Sequence, residues 1–312
     1  YSPTPFRHAV AFLRMARKAQ PSTRWRVVAP CQSQEWPRIL ESLQRGGAPA
    51  GNWTTLPLRP LTTAQLKPVS DAMPALARLL LQPKIGALLT NLKLLDLVAR
   101  RIDAGTDVDA SSWVGESSVA DWFWGAEIDT GPDRIARGRF ARGLAQRQAD
   151  ELLTSIPTDA FEVSELAPLE SLAADHLCTQ VEGDRVAFAH DLYADWARLR
   201  ILLNNRGALS AFLEGRRDSP LWHRALRLLG IHMLEHAGAL EDWRAALATF
   251  GAEGADVLQD VLLEAPVFAV NAGALLDAVL QDLLRDQGRL LRRLLTRFLA
   301  FATVPDARML PT

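Results

Sequence analysis

Behind Pro5, the residues Phe6, Val10, Leu13 and Arg17 fall at helical spacing and predict a helix over 5–19. Residues 24–29 alternate and are β-branched at their centre, a short strand that Pro30 ends. A helix at 34–44 stops at Gly46-Gly47, and 53–58 forms a second candidate strand. Helix, strand, helix, strand is the rhythm of an α/β unit with a parallel sheet. Two strands are too few for an independent sheet, so a remnant is expected here, the closing part of an α/β core. Both ends of the chain read as cuts through a longer polypeptide, since it opens at Tyr1 without a methionine.

From Thr62 onward the pattern is almost wholly helical. Thr62 and Gln65 have the form of a capping box, in which each side chain satisfies the other's backbone N–H. Pro74 and Pro83 cut the next stretch into short helices, and 91–101 predicts a longer apolar one. A polar loop is expected at 105–112, with helices over 116–127 and 133–153. The pattern changes at 164–204. A helix over 165–175 leads to 177–181, a turn at Glu182-Gly183-Asp184, and 185–189, which together predict a tight hairpin. A long helix opens directly behind it at His190-Asp191. Helix, two-stranded wing, helix is the sequence form of a winged-helix unit. Beyond 205 come helices near 208–214, 220–236, 240–250, 256–263, 272–284 and 289–303, mostly separated by Gly or Pro. No strict period emerges, so the tail reads as an irregular helical array. The expected fold class is mainly α: a short α/β remnant (1–61), a helical lid (62–115), linking helices with a winged-helix domain (116–206), and a helical array acting as sensor or scaffold (207–312).

Composition alters this picture little. With 48% hydrophobic and 23% charged residues and a net charge of −1, no global field draws the chain to nucleic acid or acidic lipid. No apolar run reaches the roughly 18 residues of a membrane span; the nearest, 85–99, is interrupted by Asn91, Lys93 and Asp96. Neither a signal peptide nor a membrane partner is expected. Cys31 and Cys178 have no partners at metal-ligand spacing and are expected to be buried free thiols of a reducing, cytoplasmic compartment. Only four of the 35 basic residues are lysines, Lys18, Lys67, Lys84 and Lys93, followed by Ala19, Pro68, Ile85 and Leu94. A phosphate-binding loop needs Lys before Ser or Thr, because the amine grips the β/γ-phosphates while the hydroxyl holds Mg²⁺. None qualifies. GxSxG, HExxH and CxxC are also absent, so this stretch is not expected to hydrolyse anything by itself.

Phe188-Ala189-His190-Asp191, straight after the expected wing, resembles the His-Asp motif in the winged-helix domain of STAND-class (NACHT-like) P-loop NTPases. The resemblance implies that His190 contacts the β-phosphate of bound ADP and helps lock the resting state. An imidazole N–H at a helix start adds to the positive end of the helix dipole. Asp191 is expected to cap the helix and orient the ring. A surface His-Asp pair at a helix start is the plainer alternative. Residues 24–32 (RWRVVAPCQ) resemble the sensor strand after Walker B, which in the family typically ends in arginine near the γ-phosphate. Here Gln32 stands there, able to hydrogen-bond phosphate but not to neutralise it. Residues 56–66 are similar to the entry into the helical lid, and 89–95 (LTNLKLL) to the lid motif that contacts adenine, which makes Asn91 a further candidate. The family usually has proline after that asparagine, where this chain has Leu92. A buried strand and a core helix are the alternatives for these two segments. The resemblance covers residues 24–204 in family order and places Walker A and B upstream of Tyr1. It implies ATP/ADP with Mg²⁺ as cofactors, a protein partner or trigger, self-oligomerisation, and a place in antiphage defence.

Arg134, Arg137, Arg139, Arg142 and Arg147 crowd one predicted helix, and Arg289, Arg292, Arg293 and Arg297 share a face of another. Both are expected to be solvated faces, since a nucleic-acid surface would need interleaved aromatics or a domain-wide basic excess. Trp196, Trp222 and Trp243 are expected core anchors, and Trp122 and Trp124 a wedge between domains. His223, His232 and His236 fall near one another along one predicted helix; His232 and His236 have an i,i+4 spacing metals can use, but without a third ligand type nearby they are expected to be structural. The function expected is a nucleotide-gated regulatory module of a STAND-type signalling ATPase, with a non-catalytic helical scaffold for protein–protein interaction as the alternative. A winged-helix DNA binder is disfavoured by the neutral charge.

Overall fold

The computed structural model describes residues 61–302 apart from 106, 107, 182, 237 and 270, together with Met15, Lys18 and Leu56. Met15 and Lys18 are helical and Leu56 lies outside any helix or strand. The other elements expected before residue 61, and Gln32 with them, lie outside the described residues. The chain divides into two units, Tyr1–Arg59 and Pro60–Thr312, and the second is mainly helical as expected.

Helix α1 (Thr63–Ala72) opens on the expected capping box. The Gln65 amide donates to Thr62 Oγ1 at 3.3 Å, and the Thr62 amide to Gln65 Oε1 at 2.9 Å. Helices α2 (Pro74–Leu80) and α3 (Pro83–Leu88) each begin on proline, whose missing N–H is an orphan at that position anyway. Helix α4 (Leu92–Asp103) buries Leu94, Leu95, Leu97 and Val98. Helix α5 (Glu116–Phe123) runs on into a π-helical turn, Trp124–Ile128, and α6 (Arg134–Glu151) ends at Leu152 with φ of 55°.

The expected wing is present with one strand more. After α6 come β1 (Ile156–Pro157), α7 (Val163–Leu166), α8 (Leu169–Ala174), β2 (Cys178–Val181) and β3 (Arg185–Phe188). The antiparallel sheet has the order β1-β3-β2, with Ile156 opposite Val186 and Cys178 opposite Phe188. Helix, strand, two helices, then a hairpin whose last strand pairs with the first is winged-helix topology. Gly183 and Asp184 turn the hairpin at φ of 77° and 53°, where glycine and aspartate are the least penalised residues. The single helix expected over 165–175 is two short ones, broken around Pro168. Cys178 is a buried free thiol, its pKa pushed up to about 12 by burial against a weaker pull from Arg137.

Helix α9 (Asp191–Asn204) follows the hairpin, and the array runs on as α10 (Leu209–Leu213), α11 (Pro220–Glu235), α12 (Leu240–Ala252), α13 (Asp256–Phe268) and α14 (Ala272–Ala302). Helix α14 is interrupted at Arg285–Gly288, where Asp286, Gln287 and Gly288 have φ of 51°, 56° and 72°. Helix α11 packs against α9 and α13, and α13 against α14. Gly230 permits the close approach of α11 to α13, since a Cβ there would lie 2.7 Å from the Ala265 Cβ. Trp196, Trp222 and Trp243 are fully buried anchors. Their indole N–H groups donate to Glu116 Oε1 (3.4 Å), Asp150 Oδ1 (2.8 Å) and the Leu262 carbonyl (3.2 Å). Trp122 packs on Trp113 at 5.2 Å, while Trp124 is buried beneath Arg142 and Arg200.

Each arginine cluster is solvated only in part: Arg134, Arg139, Arg289 and Arg292 are exposed as expected, whereas Arg137, Arg293 and Arg297 make specific contacts. Arg137 is only 5% exposed. It donates to the Glu127 carbonyl (2.7 Å), Ser171 Oγ (2.9 Å) and Asp175 Oδ2 (2.7 Å), because the end of the π-helical turn leaves carbonyls without helical partners. Arg293 reaches Asp260 Oδ1 (2.8 Å) and Arg297 reaches the buried Glu264 (2.6 Å), so these two arginines tie α14 to α13. Among the described residues no helix is long and apolar enough to cross a membrane.

Candidate functional site

Strand β3 delivers the chain to α9 through His190, which has extended φ and ψ of −152° and 139°. Its Nδ1 accepts the Leu192 amide at 3.0 Å, so the histidine itself is the N-cap. This corrects the role expected of Asp191, which stands in the first helical turn and does not cap. The reason is geometric: a capping side chain must leave the residue just before the helix, and that position is 190. There the carboxylate of Asp191 favours the helix dipole. With Nδ1 used as an acceptor, the neutral ring carries its proton on Nε2, assigned from that bond. The residue is solvent-exposed, leaving one N–H donor outside the helix end.

Asn91 has the same local role on α4. Its Oδ1 accepts the amides of Lys93 (2.9 Å) and Leu94 (3.4 Å). Leu92, at the first helical position and 65% exposed, stands where a proline fits without penalty. The two caps are joined through one side chain. Lys93 pairs with Asp96 at 3.0 Å and lies 5.3 Å from the centre of the Tyr193 ring, itself 6.0 Å from the His190 ring. Partial burial, then the positive charges of Lys93 and Arg224, hold the His190 pKa below the usual imidazole value against Asp191 and Asp96. Sequence reasoning named Asn91, His190 and Asp191; it missed Lys93, Tyr193 and Arg224, although Lys93 lies inside the 89–95 segment itself.

A cavity of about 170 Å³ adjoins Asn91, between Thr90, Leu94, Ile231, Glu116 and Glu235. Burial raises the pKa of both glutamates, opposed at Glu116 by Arg224 and the Trp196 indole, and at Glu235 chiefly by the Ser117 hydroxyl (2.8 Å). The cavity is smaller than the about 300 Å³ at which small-molecule pockets begin. Its acidic wall does not fit phosphate. The His190 surface, with an N–H donor and Lys93 beside it, does fit a single phosphate group.

No family model matches the chain, and the searches of curated proteins and of solved structures also returned no match.

A pH titration separates the two nitrogens of His190. Its folded pKa is depressed, so the stability it contributes is fully present above the unfolded value of about 6.5 and is lost as pH falls through the folded value. Protonation at Nδ1 would turn a donor against the Leu192 N–H. The His190 Cε1–H resonance should therefore titrate below about pH 6.5; a midpoint above that would mean the cap is not made.

Proposed function

We propose that this chain is the regulatory part of a STAND-type signalling ATPase, in which the winged helix holds ADP in the resting state. The observation that carries the reading is the end of the wing. His190 caps the 14-residue helix α9 with Nδ1 and keeps Nε2–H for an anion, beside a lysine from the lid helix. A helix N-terminus, an N–H donor and a nearby ammonium together suit a phosphate. In this reading His190 touches the β-phosphate, Lys93 adds charge and Asn91 fixes the start of the lid helix. Gln32 is retained as a neutral phosphate contact. When bound, Mg²⁺ and ATP or ADP would draw their remaining ligands from a Walker-bearing core upstream. A cytoplasmic location, a protein trigger, self-association and a defence role belong to the same proposal.

Two substitutions separate capping from binding. His190→Ala removes the cap and should cost about 1 kcal/mol, whereas His190→Asn keeps a good capping group and should be close to neutral. In the full-length protein both should lose the ADP that co-purifies with wild type, measured after denaturation. Unchanged ADP retention in His190→Asn would sink the role, as would a gene lacking GxxxxGK[ST] upstream of Tyr1. The scaffold alternative then stands, favoured by the exposed leucines Leu280, Leu284 and Leu295 along α14.

A further inference from the structure

Asp121, on α5, meets the end of α11, where His232 lies in the last turn and His236 is the capping residue. Asp121 Oδ2 is 3.8 Å from His232 Nδ1 and 3.9 Å from His236 Nε2, and all three ligand-type atoms lie within 4.8 Å of one another. These separations are too long for hydrogen bonds. They are close to the roughly 3.4 Å between neighbouring ligand atoms of a tetrahedral ion with bonds of about 2.0–2.1 Å. The three groups face one another across a gap that direct bonding does not fill.

The surroundings orient each group toward that gap. The other nitrogen of His236, Nδ1, is 2.9 Å from the His232 carbonyl, an arrangement in which Nδ1–H donates and Nε2 keeps its lone pair. His232 Nδ1 is buried without a hydrogen-bond partner, which is rare for an interior polar atom. Arg200 Nη2 forms an ion pair with Asp121 Oδ1 at 3.0 Å, an oxygen that no hydrogen bond claims, while Oδ2 is the oxygen nearest the histidines. The two imidazoles stack at 3.9 Å with 27° between their planes, closer than two ligands of one tetrahedral ion sit, so binding requires the partly exposed His236 ring to swing outward.

We propose that Asp121, His232 and His236 form a binding site for one transition-metal cation of the zinc class. Two borderline imidazole nitrogens with one carboxylate oxygen suit Zn²⁺, whereas Mg²⁺ and Ca²⁺ demand oxygen shells. Three protein ligands leave a fourth position for water. Asp121 and His236 are partly exposed, so the ion has an entry path. Its effect on the fold is to pin the end of α11 to α5, next to Arg200 of α9.

The test uses the full chain with any affinity tag removed and metals stripped by a chelator. Zn²⁺ should then bind at one equivalent per chain, by titration and elemental analysis, and raise the melting temperature, while Mg²⁺ and Ca²⁺ at equal concentration do not. Co²⁺ should give visible ligand-field bands of tetrahedral intensity. His236→Gln lies at a helix end and is 38% exposed, so the fold should survive it. It should weaken Zn²⁺ by more than the about 10–100-fold that losing an outer-shell partner costs. Asp121→Asn is the second variant, with the metal-free melting curve of each as the check on folding. Absence of stoichiometric Zn²⁺, or binding that persists undiminished in both variants, overturns the site.

Discussion

Replacing Arg227 and Arg297 together by methionine should lower the unfolding free energy by about 3–5 kcal/mol, the cost of leaving a buried charge uncompensated. Glu264 of α13 is fully buried and takes Arg227 of α11 on Oε2 at 2.6 Å and Arg297 of α14 on Oε1 at 2.6 Å. Neither arginine is itself fully buried, so each can rehydrate if the glutamate is lost, whereas the glutamate cannot. That asymmetry makes the double arginine variant worse than removal of the acid. Adding Glu264→Met to it should recover most of the loss, because an apolar replacement of a buried ion pair is often neutral. Urea unfolding of the three variants checks this, and a double variant as stable as wild type would refute it.

Arg137→Met should cost about 2–4 kcal/mol, since each buried acceptor left without a donor costs about 1–3 kcal/mol. The guanidinium serves the Glu127 carbonyl and, on the other side, Ser171 and Asp175 around α8. It thus ties the π-helical turn to the winged element. Arg137→Lys should fail to restore stability, because a single ammonium cannot span a fork of acceptors. Equal urea midpoints for the Arg137→Lys and wild-type chains would show that the geometry is not needed.

What the sequence made legible is what local chemistry controls. The Thr62–Gln65 box, the proline-led helices and the Gly183-Asp184 hairpin all state their geometry within a few residues. Strand β1 did not, because Ile156 and Pro157 are too few to alternate and owe their strand form to pairing with Arg185 and Val186. Arg137 looked like one more arginine on a surface stripe, since nothing in its helix reveals the orphaned carbonyls that bury it. At the candidate site the same division holds. His190 was found because it begins a helix behind a hairpin, but its cap was assigned to its neighbour. Lys93 was missed because its partner Tyr193 lies on α9, a distant helix. The i,i+4 pair His232 and His236 was visible, while its third member, Asp121, comes from α5 and is brought there only by packing.

The interruption of α14 at Arg285–Gly288 bears on how this array can change length. In an unbroken helix, one inserted or deleted residue rotates everything downstream by about 100°. Leu290, Leu291 and Leu294 would then swing off the faces they now cover. Across three consecutive left-handed residues no helical phase is transmitted, so an insertion there leaves both apolar stripes in place. Chains descended from this one should vary in length at that joint before they vary within either flank.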